Sequence, residues 1–154
     1  MIQILIAATD NDYAAAGLLF REYAASINIS LDFQHFEKEL KELKKMYGPP
    51  HGGIVLASSG KEIIGCIGIR KIADQVGELK RMYIKPTHQN RGIGKKLLMM
   101  VLEIAAKSNY KVVKLDTLKV MVAAMHLYKE AGFYEIQAYY NNPIPTAVYF
   151  EKLL

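Results

Sequence analysis

Residues 89–95, Gln-Asn-Arg-Gly-Ile-Gly-Lys, set two glycines among polar and basic residues just before an apolar run. The first amides of a helix have no partners within it, and the aligned peptide dipoles give that end a partial positive charge, so it attracts anions. Gly92 and Gly94 remove the Cβ atoms that would hold a phosphate away, while Arg91, Lys95 and Lys96 add charge. A P-loop would need Gly at 89 and Ser or Thr at 96, where the chain has Gln89 and Lys96. A dinucleotide fingerprint starting at Gly92 would need Gly or Ala at 97, where Leu97 stands. Two readings remain: a helix start with tolerated glycines, or a backbone cradle for a diphosphate between a strand end and a helix start.

The flanking elements fit such a cradle. Met1–Ala8 reads as a strand, and Thr9 or Asp10 can cap a helix with Tyr13, Leu18, Phe20, Tyr23 and Ile27 as apolar positions. Asp32 starts a second helix carrying Phe33, Phe36, Leu40 and Leu43 at three- and four-residue steps, stopped by Gly48-Pro49-Pro50. Strands follow at 54–57, 63–72 and 76–85, the first two joined by Ser58-Ser59-Gly60-Lys61. A helix over 91–107, a strand over 111–117 and a short helix over 122–131 ended by Gly132 come next. Residues 133–139 and 147–153 read as a final antiparallel pair. The order β-α-α-β-β-β-α-β-α-β-β is that of a mixed α/β sheet.

Composition narrows the class. With 154 residues, 51% of them hydrophobic, the chain suits one domain over 1–154 with a sizeable core. The apolar start is too short for a signal peptide or membrane span, and no other run approaches about 20 residues, so a soluble, cytoplasmic protein with no membrane partner is expected. Cys66, the single cysteine, sits in the apolar run Ile63–Ile69 and reads as a buried thiol. The net charge of +5 is dispersed: Lys38, Lys41, Lys44 and Lys45 alternate with Glu37, Glu39 and Glu42, a solvated helical face with a Glu37–Lys41 pair. Nucleic acid is not an expected partner. His35 and His88 read as surface, and His126, one turn from Glu130, has no metal-ligand spacing, so no metal is expected. His51, and Tyr139, Tyr140, Asn141 and Asn142 in a Pro-framed loop, are candidates for lining a cleft.

The motif Gln89-Asn90-Arg91-Gly92-Ile93-Gly94-Lys95, after a strand reading Glu78-Leu79-Lys80-Arg81-Met82-Tyr83-Ile84, resembles the Q/R-x-x-G-x-G/A motif of the GNAT superfamily of N-acetyltransferases. Tyr128, four residues before Gly132-Phe133, resembles that family's second hallmark, and the element order matches from end to end. The resemblance implies a mostly antiparallel central sheet flanked by helices. It implies acetyl-CoA as cosubstrate, with its pyrophosphate on Gln89 to Lys95 and its pantetheine arm and thioester oxygen on backbone groups of Met82, Tyr83 and Ile84. The acceptor it implies is a small-molecule or peptide amine; a homodimer, common in the family, stays open.

An aliphatic amine has a pKa of about 10, so a group or a water must take its proton, and the departing thiolate needs one. The resemblance gives Tyr128 the second task; a core aromatic is the alternative. It gives Glu78 the first; water, or a Glu78 paired with Lys80 or Arg81, is the alternative. The doubled Lys80-Arg81 followed by three apolar residues breaks strand alternation, which a bulge or an end buried on both faces would explain. Met121 stands where relatives often carry Asn, so a hydrogen bond to the cofactor arm is lost; Met121 either packs against the arm or fills the core. A non-catalytic acyl-CoA-binding module of the same fold is the competing reading.

Overall fold

The computed structural model describes residues 1–154. Seven strands form one sheet in the order β1-β2-β3-β4-β5-β7-β6: β1 (Ile2–Ile6), β2 (Gly53–Ser59), β3 (Glu62–Ala73), β4 (Val76–Ile84), β5 (Val112–Leu118), β6 (Tyr134–Ile136) and β7 (Ala147–Leu153). Every pairing is antiparallel except β4 with β5. Helices cover both faces: α1 (Asp10–Ile27), α2 (Phe36–Lys41) and α3 (Leu43–Tyr47) on one, α4 (Ile93–Lys107) and α5 (Val122–Glu130) on the other. The mixed α/β sheet flanked by helices is the fold the sequence implied. No helix is long and apolar enough to cross a membrane.

Period-two alternation divides the central strands between two cores. On β2, Val55 and Ala57 belong to the core that holds Leu97 and Val101 of α4, while Ile54 and Leu56 belong to the core that holds Phe20 of α1 and Tyr47 of α3. Burying a Leu or Phe side chain fully contributes about 1.5–3 kcal/mol, so these contacts anchor the helices that carry the site.

Thr9 caps α1 in a reciprocal box with Asp12. Leu18, expected inside, is 67% exposed; Ala16, Leu19 and Phe20 turn inward instead. The second predicted helix is broken. A 3₁₀ turn at Asp32–Gln34 ends at left-handed His35, and Glu42 separates α2 from α3. These breaks let Phe36, Glu39, Leu43 and Tyr47 all reach the interior, which a straight helix of that length would not allow. The expected solvated face is therefore interrupted by a buried Glu39, and Glu37 pairs with Arg21 at 3.2 Å rather than with Lys41. The strand expected over 133–139 shortens to β6, and its remainder joins the loop leading to β7.

The register of β4 positions everything that follows. Between Cys66↔Tyr83 and Gly68↔Lys80, Arg81 and Met82 oppose Ile67 alone, so β4 carries a bulge, with Arg81 at φ 62°. Its parallel pairing with β5 ends after Val76, Gly77 and Glu78. Beyond that point the two strands part, and the edge of β4 from Leu79 to Ile84 has no strand beside it.

Candidate active site

The Gln89–Lys95 turn opens α4 just past the end of β4. The Gln89 side chain donates to the Ile84 carbonyl at 3.0 Å and ties the turn to the strand. Asn90 and Gly92 are both left-handed (φ 63° and 75°), which turns successive amides toward one side. The six amides of residues 90–95 bond to nothing in the protein; the next to do so is Lys96, to Gly92 at 3.3 Å. A Cβ on Gly94 would lie 2.9 Å from Leu127 Cδ1, so its absence lets α4 and α5 close together.

These amides border a groove of about 450 Å³ between α4 and α5, floored by Met82, Tyr83 and Ile84 and rimmed by Val120 and Val122. Gln89, Asn90, Gly92, Ile93, Gly94 and Lys95 all line it. The Arg91 amide is free like its neighbours, but its side chain is exposed and the residue does not line the groove. The array suits a diphosphate: consecutive free donors, no side chain at the approach, and a positive helix end.

The groove leads to the gap between β4 and β5, where a small cavity lies between Met82, Thr117, Met121 and Tyr128. Tyr128 is buried, packed edge-on against Phe133 with 5.8 Å between ring centres. Its hydroxyl has no hydrogen-bond partner within the protein, and burial raises its pKa, which keeps it a proton donor. Met121 lines both groove and cavity, and its sulfur accepts from Thr117 Oγ1 at 3.4 Å.

On the opposite face of the sheet a cavity of about 730 Å³ opens beside Glu78 and Lys80. Glu78 Oε1 receives Nε and Nη2 of Arg70, both at 3.0 Å, and Oε2 accepts from Tyr139 at 2.6 Å. Lys80 Nζ stands 3.9 Å from the same carboxylate and donates to Gln34 Oε1 at 3.3 Å. Burial and neighbouring Arg81 push the Lys80 ammonium below the usual lysine range. Arg81 itself turns to Glu39, so the cations on Glu78 are Arg70 and Lys80.

Of the cleft candidates, Tyr139 and Tyr140 line this cavity. Asn142 bonds Asp116 and Tyr140, and Asn141 is exposed. His51 stands outside it, with its carbonyl accepting from Tyr110. His126 pairs with Glu130 at 3.1 Å beside the groove between α4 and α5, and no three His, Cys, Asp or Glu side chains gather around a point. Cys66 is fully buried, its thiol pushed up by burial and donating to the Arg81 carbonyl at 3.3 Å.

Arg70, Gln34 and Asp116 belong to this cluster but escape sequence reading, because each meets its partners only through the fold. Asp116 had a faint signal: Lys114 and Asp116 alternate with buried Val113 and Leu115 on a central strand.

The geometry is joined by sequence and fold likeness. A profile of the Acetyltransferase (GNAT) family matches residues 18–133. An uncharacterized N-acetyltransferase of Schizosaccharomyces pombe is 33% identical, covering 86% of this chain and 82% of its own. A GNAT-family acetyltransferase of Staphylococcus aureus superposes with a TM-score of 0.79 over 99% of both chains at 22% identity. The PaiA N-acetyltransferase of Thermoplasma acidophilum, crystallised with coenzyme A, gives 0.72 over 100% of this chain and 99% of its own at 20% identity; these two likenesses speak for the fold. With a family profile spanning most of its length and a glycine turn of free amides beside parted strands, this chain belongs to the GNAT family of acetyltransferases.

Proposed function

We propose that the chain is a single N-acetyltransferase domain over residues 1–154 that moves the acetyl group of acetyl-CoA to a primary amine by direct attack in a ternary complex. The observation that carries this reading is the run of six free amides at 90–95, set at the mouth of a groove that reaches the β4–β5 gap. Bound acetyl-CoA supplies the acetyl group as a thioester. Asn90 to Lys95 hold its diphosphate, braced by Gln89, and the open edge of β4 at Met82, Tyr83 and Ile84 takes the arm, one amide reaching the thioester oxygen.

The amine enters from the cavity beside Glu78. Its nitrogen bonds to the acetyl carbon as the carbon–sulfur bond breaks, one proton leaving nitrogen and one reaching sulfur. Glu78, or a water it holds, takes the first, and Tyr128 supplies the second and is restored from solvent. Bringing both reactants to one gap between strands removes the entropy of their encounter from the barrier.

The test is thiol release from acetyl-CoA with a panel of amino acids, polyamines, aminoglycosides and peptides. Amine-dependent release is the expected result. Saturable coenzyme A binding with no release for any amine would instead favour an acyl-CoA-binding module.

A further inference from the structure

Two opposite charges line the small cavities at the β4–β5 gap without pairing with each other. Lys80, its side chain 4% exposed, borders the acceptor cavity and both small cavities in the gap. Its ammonium has three donors and one hydrogen bond, to Gln34; the contact with Glu78 is 3.9 Å. Oε1 of Glu78 already receives Nε and Nη2 of Arg70, which leaves Lys80 only the long contact with it. Arg70 has an Nη1 with no partner in the protein.

Asp116 is the reverse case. Its Oδ2 accepts from Tyr140 at 2.6 Å and Asn142 at 3.3 Å, both uncharged, while Oδ1 accepts nothing and no cation lies within ion-pair distance. It borders both small cavities with Lys80. A buried cation whose one anion is shared with Arg70, and a carboxylate lacking a cation, thus stand across one narrow space. A ligand carrying an anion and a cation would complete both groups at once.

We propose that the acceptor is a free α-amino acid, its carboxylate on Lys80 and Arg70 and its ammonium on Asp116. Such a zwitterion carries both complements one carbon apart, and its ammonium end lies in the gap where the acetyl group would arrive. Lys38 and Lys45 at the rim of the acceptor cavity face one unmatched carboxylate, Glu42, Glu39 being held by Arg81, and this favours entry of a carboxylate-bearing molecule. Peptide amino termini and polyamines lack that carboxylate. The side chain of the amino acid would extend into the larger cavity beside Phe33, Met46 and Ile72.

This proposal rests on the acetyl-transfer reading, and its test separates the two. Thiol release is compared for α-amino acids and their carboxamides, which retain the side chain and lose the carboxylate charge, with rates referred to the neutral amine because the carboxamide's amine is the less basic. The amino acids should show kcat/KM at least about tenfold higher, the worth of a charge-assisted hydrogen bond. Lys80→Met and Arg70→Gln should each shrink that ratio, through KM for the amino acid. Carboxamides turned over equally well, or ratios unchanged in both variants, would overturn the assignment. Should no amine release thiol, the enzymatic reading fails, and calorimetry on the coenzyme A-loaded protein decides this one. Binding of amino acids but not carboxamides sustains it; binding of both or neither overturns it.

Discussion

The guanidinium of Arg81 closes on the carboxylate of Glu39 with bonds of 2.9 and 3.1 Å, joining the bulge of β4 to helix α2. The pair is buried, Tyr47 adds a third bond to the carboxylate at 2.9 Å, and the guanidinium lies 5.1 Å from the centre of the Phe36 ring. A left-handed non-glycine residue is uncommon, and this pairing holds Arg81 in that conformation. The bulge lies on the stretch of β4 that has already parted from β5.

Removing one partner of this pair should therefore destabilise the protein strongly. Arg81→Met leaves an uncompensated buried carboxylate and should cost about 3–5 kcal/mol in urea unfolding, while Glu39→Met/Arg81→Met should recover much of that loss. Burial drives the Glu39 carboxyl up, but Arg81's hydrogen bonds and charge outweigh it, leaving the group below its usual value of 4.5. That stabilisation is present above 4.5 and is lost as pH falls through the lower folded value. In Arg81→Met only the Tyr47 bond and the charge of Lys80 oppose burial, so protonation favours the fold. The stability gap between wild type and Arg81→Met should narrow on acidification below 4.5, and a constant gap would contradict the assignment.

Tyr128 offers a second check. Its hydroxyl contributes no bond to the fold, so Tyr128→Phe should leave the melting temperature and coenzyme A affinity nearly unchanged. Turnover should fall about 10²-fold or more if it protonates the leaving sulfur. Because burial raises its pKa, wild-type kcat should not decline from Tyr128 ionisation between pH 7 and about 10. Equal losses in affinity and turnover would assign the ring to packing.

The parts legible in the sequence were those set by local pattern. The glycine turn, the alternation of β2 and the doubled Lys80-Arg81 each speak through neighbours in the chain, and each proved a real feature. What escaped was set by distant partners. Glu39 looks like one more charge on a surface helix until Arg81, 42 residues away, draws it inside. The breaks at His35 and Glu42 follow from the same inward pull and carry no proline or glycine to announce them. Arg70 and Glu78 meet across the β3–β4 hairpin, and Asp116 gains its meaning only where the strands part.

Cys66 bears on the order of chemical events. A covalent acetyl-enzyme would need a thiolate, and burial holds this thiol protonated, away from any opening. Cys66→Ala should keep wild-type kcat with a stability cost of about 1 kcal/mol, and iodoacetamide should spare the native protein while labelling it in denaturant. An inactive but folded Cys66→Ala would contradict direct transfer.

Gly92 and Gly60 provide a matched pair for the anion cradle. Both are left-handed, at φ 75° and 61°, and a Cβ on either would meet nothing within 4 Å. Alanine at either position should therefore impose a similar backbone cost, about 1–2 kcal/mol for an L-residue held there. Their surroundings differ: Gly60 lies in the β2–β3 turn, whereas Gly92 lines the groove among the free amides. Gly60→Ala should lower stability and leave coenzyme A affinity intact. Gly92→Ala should lower stability by a like amount and also weaken coenzyme A binding about tenfold, because relief of the strain rotates the amides that face the diphosphate. Calorimetry on the two variants reads this difference directly. Equal affinities would mean that the diphosphate lies elsewhere.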